Sequence, residues 1–483
     1  MVEKFPLELL NELFNLIGND YKTLYSCIFV NKLWYETFVP TLWRNPLQSM
    51  HNIKILINCL LVEDNDFVNQ KNIKLPSHYL LEKPPLLNYA KFVTILNLKM
   101  TKSLNQLMRL KYKDETLKDR FVRFIMSHSS IEYLNTSLLK AKSIINDPNF
   151  NDCFRNLKEF ETADDYSSSI FKELTKVCDK IQVFRLHYKN VKNDNGILAK
   201  LIEVQNKVKK VYIYLSKTCE FEKLELEDAI SSHSKSIVEY HSTGFTEMDL
   251  SILRFQNLVT LHLENKKVNE IDLPEQIKST LFPNLQKFTI KDFHGNSFLN
   301  ISNFVEINGM GLTYLEIGGN PFDEDNLKIL LLSIGRNCKN LESLTTFYDD
   351  HMEHAIGEIL YNCNYLRKIY LRLIEGVLIY VDDLIHPLSH SKSLISIKFG
   401  NYIRISDTAL SYLNEIWLGP KPLLLSYSNY KQCFLGESPI SRLKRYEELG
   451  LLKFEITDEE PVNDVFDPYH HLDYIDYYED NQD

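Results

Sequence analysis

A short apolar motif recurs along this chain at near-constant spacing, and that recurrence restricts the possible folds more than any other feature. The clearest copies are Leu258-Val259-Thr260-Leu261-His262-Leu263, Leu285-Gln286-Lys287-Phe288-Thr289-Ile290 and Leu312-Thr313-Tyr314-Leu315-Glu316-Ile317. Leu366-Arg367-Lys368-Ile369-Tyr370-Leu371 and Leu394-Ile395-Ser396-Ile397-Lys398-Phe399 follow the same rule. Weaker copies start at Ile131, Leu157, Ile181, Val208, Ile237 and Leu341, so that eleven starts lie 21 to 29 residues apart, about 26 on average. Alternate residues of a strand face opposite sides, so residues three and five places after each start, such as Leu261 and Leu263, belong in a core. The rest of each unit must travel back to the next start. Asp325 to Ile334, with Leu327, Leu330, Leu331 and Ile334, has the spacing of a helix that does so. One unit cannot bury its apolar side alone, so the units must stack. The expected class is α/β, a curved solenoid with parallel strands on the concave face and helices on the convex face. It spans 131–430 in about eleven units, with a cap over 431–456.

Composition narrows the function classes. The chain has 483 residues and a formal net charge of −10, which argues against nucleic acid as a partner because phosphate contacts need a positive field. No run approaches the ~18–20 apolar residues of a membrane span, and Glu3, Glu8 and Glu12 do not suit a secretory leader. The eight cysteines include no Cys-x-x-Cys pair, so they read as buried free thiols of a cytoplasmic or nuclear protein. His351 and His354 stand in His-Met-Glu-His, not in the His-Glu-x-x-His order of zinc proteases, and His470-His471 has no fixed scaffold. Gly309-Met310-Gly311 lacks the completion of a phosphate loop, and no Gly-x-Ser-x-Gly elbow occurs. No catalytic residue, cofactor or metal is expected. Residues 457–483 carry ten acidic side chains and no Lys or Arg, as an unstructured solvated tail does.

Residues 1–45 read as a compact helical module. Pro6 suits a helix start, and Leu9, Leu10, Leu13, Phe14 and Ile17 make one apolar stripe. Leu24, Cys27, Val30 and Trp34 make a second, and Leu42-Trp43-Arg44 closes the module. So short a segment cannot bury this many large apolar side chains by itself, which points to a partner surface. Residues 46–130 carry a helical pattern from His51 to Val62 and one further strand-like hexapeptide at Val93 to Leu98, and read as a helical linker and entry to the solenoid.

The order Phe5-Pro6-x-Glu8-x-Leu10, Leu13-Phe14, Leu24, Val30-x-x-x-Trp34 and Leu42-Trp43 resembles the F-box, with Phe5 where Leu is usual. Asn337-Cys338-Lys339-Asn340-Leu341, Asn362-Cys363-Asn364-Tyr365-Leu366 and Cys178-Asp179-Lys180-Ile181 resemble the cysteine-containing leucine-rich repeats of F-box proteins. The resemblance implies a non-catalytic substrate receptor of an SCF-type ubiquitin ligase. Its F-box would bind the Skp1 adaptor, and through it a cullin ligase, by way of Phe5, Pro6, Leu10, Leu13, Phe14, Leu24, Val30, Trp34, Leu42 and Trp43. Its repeats would bind the target protein. The alternative is a leucine-rich-repeat scaffold or inhibitor outside any ligase.

Alternation also predicts which residues face the concave surface: those two, four and six places after each start. Seven of these are basic (Arg185, Lys210, Lys287, Lys291, Lys368, Arg372, Lys398) and five acidic (Glu159, Glu161, Glu239, Glu264, Glu316). A cationic bias with aromatic neighbours suits an acidic or phosphorylated segment of a protein substrate. The expected contacts are Arg185, His187, Tyr212, Tyr214, Lys287, Lys291, Phe347, Lys368, Tyr370, Arg372 and Lys398.

Overall fold

A computed structural model describes residues 7–17, 20–63, 81–97, 111–112, 115–136, 144–162, 168–188, 195–215, 224–243, 250–265, 275–292, 297–319, 324–348, 351–373, 379–380, 384–389, 391–400, 403–404, 411–412, 415, 417, 422–428, 444–445, 447–450 and 452–457. Phe5, Pro6, the tail from 458 and most of the segment 431–456 lie outside these residues. The chain divides into two compact units, one holding residues 1–208 with 224–229, the other 209–223 with 230–483.

In the first unit, the strands Ile95–Asn97, Tyr133–Asn135, Glu159–Glu161 and Val183–Tyr188 lie side by side, all parallel. The second unit continues the same pattern from Lys210–Leu215, Glu239–Thr243, Thr260–Glu264, Lys287–Lys291 and Tyr314–Ile317 through Ser343–Tyr348, Lys368–Leu373, Ser396–Phe399, Leu423–Ser428 and Leu452–Thr457. The register is that of the sequence motif. Leu261 pairs with Phe288, Phe288 with Leu315, Leu315 with Leu344, Leu344 with Ile369 and Ile369 with Ile397, so the residues three places after these six starts form one continuous row. Each of these six is buried. Helices such as Ser297–Asn308, Glu324–Asn337 and Glu353–Asn362 carry the chain back between strands. This is the parallel strand-and-helix repeat of a leucine-rich-repeat solenoid. The ladder also reaches past 131–430: Ile95–Asn97 precedes it by pairing with Tyr133–Asn135, and Leu452–Thr457 follows Leu423–Ser428.

The turn before each strand shows why polar residues are tolerated in this core. Cys178 is buried, and its Sγ donates to the Phe154 carbonyl at 3.2 Å. At the equivalent place one repeat later stands Gln205, whose Oε1 accepts from the Ile181 N–H at 2.8 Å while Nε2 donates to the Cys178 and Leu201 carbonyls. Asn308 does the same between Phe282 N–H and the Thr280 and Phe304 carbonyls. Each amide supplies the backbone partners that a buried turn would otherwise lack. Burial pushes the thiols of Cys153, Cys178 and Cys363 up to about 12, so they stay protonated and serve as packing groups.

The N-terminal module consists of three helices: α1 (Leu7–Ile17), α2 (Tyr21–Cys27) and α3 (Lys32–Leu42). Asp20 starts α2 by accepting from the backbone N–H of Lys22 and Thr23, and Asn31 starts α3 by accepting from Trp34 N–H at 3.1 Å. No helix among the described residues is long and apolar enough to cross a membrane.

Candidate functional site

Two surfaces stand out, one on the helical module and one on the strand face. In the module, Leu10, Leu24, Phe38, Val39 and Leu42 are buried and form its own core. Trp43 is buried too: its ring stacks on Tyr89 at 4.2 Å, and the Arg44 carbonyl accepts from Thr94 and Ile95 N–H at the first strand. Leu10, Leu24, Leu42 and Trp43 are therefore not surface groups, although the F-box resemblance places them among adaptor contacts. The apolar stripe identified them as large and apolar; the chain itself supplies their partners. Leu13 and Trp34 are half-buried, and the Phe14 side chain lies outside what is described.

The exposed apolar groups are different ones. Leu16 is 84% exposed, Phe29 71% and Val30 56%, with Leu9 and Tyr25 near one-half. They sit on α1, on α2 and in the turn that follows it, where Tyr25 and Phe29 meet edge to face at 5.2 Å. Isolated apolar side chains on a surface need no explanation, but five on a module of this size do. Of the residues expected to touch an adaptor, Val30 is among these exposed groups. Leu9, Leu16, Tyr25 and Phe29 were not among those expected, because periodicity alone does not tell a helix face turned outward from one turned inward.

On the strand face, position within the strand decides exposure. Residues four places after a start sit between two neighbouring strands, so Arg185, Tyr212 and Tyr370 are buried, and so is Phe347 at the sixth place. Arg185 and Tyr212 are held laterally by acids of the adjoining repeats. In the first unit Arg185 Nη1 meets Glu159 Oε2 at 2.9 Å, His187 Nε2 meets Glu161 Oε1 at 3.2 Å, and Tyr133 donates its hydroxyl to Glu161. In the second unit Tyr212 donates to Glu239 at 2.7 Å, and Lys210 pairs with the same carboxylate at 2.8 Å. Tyr214, half-buried, packs against His241 at 5.4 Å.

Glu316 is the clearest such hub. It is 2% exposed and takes Lys291 Nζ at 2.9 Å, Arg372 Nη2 at 3.2 Å and the Tyr314 hydroxyl at 2.9 Å. Arg372 and the half-buried Lys398 also lie over the Tyr370 ring, at 5.4 and 5.1 Å. Much of the cationic bias expected to face a substrate is thus spent inside the ladder, neutralising buried carboxylates. Two residues away lies the exposed margin. There Lys287 and Lys368, both exposed, line a depression of about 390 Å³ with Tyr314, Ser343, Glu342, Ile395 and Arg367. Arg367 is a contribution that alternation missed, because it stands one place after a start, before the strand begins.

A third arrangement occurs where His241 and His262 pair across adjacent strands. Their rings stack at 3.7 Å, and Glu264 Oε2 lies 3.7 Å from His262 Nε2. Burial holds the His262 imidazole below its usual range, so it is neutral at pH 7.

No protein-family model matches the chain, and no curated protein matches it. Among solved structures, the leucine-rich-repeat-containing protein LegL7 from Legionella pneumophila is similar at 10% identity and a TM-score of 0.37, over 59% of this chain and 97% of that one. A Rad7 and Elc1 complex in yeast is similar at 15% identity and a TM-score of 0.40, over 72% of this chain and 90% of the other.

Proposed function

We propose that this chain is a non-catalytic substrate receptor of an SCF-type ubiquitin ligase. The apolar surface of α1 and α2 docks on the Skp1 adaptor, and the strand face holds a target protein. The observation that carries this reading is the exposure of Leu16, Phe29 and Val30 on a short module that precedes a repeat solenoid and resembles an F-box. Large exposed apolar groups in one small module suit burial by a second protein, where aromatic anchors dominate affinity. The target segment is acidic or phosphorylated and lies along Lys287, Arg367 and Lys368. Ubiquitin transfer is then accelerated by holding the target near the charged enzyme, through effective concentration and not through side-chain chemistry.

Capture by purified Skp1 tests the adaptor half. The wild-type chain binds, and Phe29→Asp with Val30→Asp loses binding at least ~30-fold while keeping its thermal midpoint, since about 2 kcal/mol or more is typical of an anchor residue. Equal capture of both forms overturns the reading. The seating of Trp43 on Tyr89 favours a second reading, in which the module serves only as the solenoid's N-terminal cap. In that case neither form binds Skp1.

A further inference from the structure

We propose that His241, His262 and Glu264 form a binding site for a divalent ion of the zinc class, bridging two adjacent repeats. Each residue offers one ligand atom, and the three atoms lie within 4.8 Å of one another. The backbone fixes the arrangement: His241 and His262 are partners in a parallel register, and Glu264 stands two residues after His262 on the same face of its strand. Two imidazoles and one carboxylate are a donor set that zinc accepts, with a fourth position left to water or to a group of a bound partner.

The distances fit a shared ion better than direct contact between the side chains. Glu264 Oε2 is 3.7 Å from His262 Nε2, beyond hydrogen-bond length, and that buried Nε2 has no other hydrogen bond. Tetrahedral bonds of about 2.0–2.1 Å place ligand atoms roughly 3.3 Å apart, so a small inward rotation of each side chain closes the site. The neighbouring cation, Lys291, is held by Glu316 at 2.9 Å, which offsets its charge beside the site. Glu264 and His241 are half-buried, which leaves a path from solvent.

An ion here would tie Glu239–Thr243 to Thr260–Glu264, which has the shortest spacing among the described strand pairs of the ladder, since Tyr240 and Leu261 are partners.

The test uses the full chain, stripped of metal with a chelator and titrated with Zn²⁺ alone by calorimetry. Wild type binds one equivalent that Glu264→Gln weakens at least tenfold and His262→Ala removes, and Zn²⁺ raises the thermal midpoint of the wild type alone. Glu264→Gln keeps the shape of the side chain, so it reads the site even where His262→Ala disturbs folding. His470→Ala with His471→Ala, a control for surface binding, leaves the equivalent in place. Absence of this equivalent in wild type, equal affinity in Glu264→Gln, or its loss in the His470/His471 variant overturns the site.

Discussion

The helical module and the strand ladder are built from similar apolar residues and meet opposite fates. In the ladder, Leu261, Phe288 and Leu315 are fully buried because a neighbouring repeat lies on each side of them. In the module, Leu10 and Leu24 reach that state, but Leu16, Phe29 and Val30 remain at the surface. A repeat borrows its core from the next repeat, and the array can go on doing so. Three short helices have no such supply, so part of their apolar surface waits for something else. The difference teaches that exposure of an apolar residue is informative only beside what its neighbours provide.

The comparison can be broken or sharpened by substitution. The largest effect is expected in the ladder core, where Phe288→Ala costs about 3–5 kcal/mol in denaturant unfolding, from lost burial and the cavity left behind. Glu316→Gln comes next: it leaves Lys291 and Arg372 partly buried without their carboxylate, and costs about 3 kcal/mol by the same measurement. A loss well under 1 kcal/mol in either variant would mean that the repeats are less tightly coupled than their register implies.

Acid gives a smaller and more specific effect. His262 in the folded chain titrates below its ordinary value of 6.5, so the unfolded chain binds more protons as pH falls through that value. The contribution is present in full above about 6.5 and declines with acidification, so the unfolding midpoint drops below that pH. His262→Gln flattens the drop, and an unaltered pH profile in that variant contradicts the assignment. The smallest effect belongs to the module surface. Leu16→Ser changes stability by no more than about 0.5 kcal/mol, because an 84% exposed side chain has little burial to lose.

The ladder was largely legible in the sequence because its motif states both spacing and facing. Even the irregular steps carry over: Tyr240 pairs with Leu261, 21 positions on, and Leu315 with Leu344, 29 positions on. The helix expected around Leu327 to Ile334 lies within Glu324–Asn337. The two ladder strands after 400, Leu423–Ser428 and Leu452–Thr457, carry a weak motif for a local reason. Pro422 occupies the apolar start of the copy that contains Leu423–Ser428, and this hid the copy at Leu451-Leu452-Lys453-Phe454-Glu455-Ile456 by leaving it isolated. The strand face was legible only in part. Alternation tells which side of a strand Arg185 or Tyr370 occupies, but their burial depends on acids and rings about 26 residues away in sequence. The His241, His262 and Glu264 group was there to be found, as histidines at the same place in successive copies, once the two strands were aligned. In the module, a stripe names the apolar face of a helix and not its partner, which is why Trp43 packs on Tyr89 while Phe29 stays exposed.

Hydrogen exchange of the full chain with and without purified Skp1 tests the central claim most directly. The account predicts that the adaptor slows amide exchange across residues 7–30 and leaves the strands from Thr260 to Phe399 unchanged. Equal exchange rates across 7–30 in both samples, at adaptor concentrations that saturate a known F-box, would contradict it.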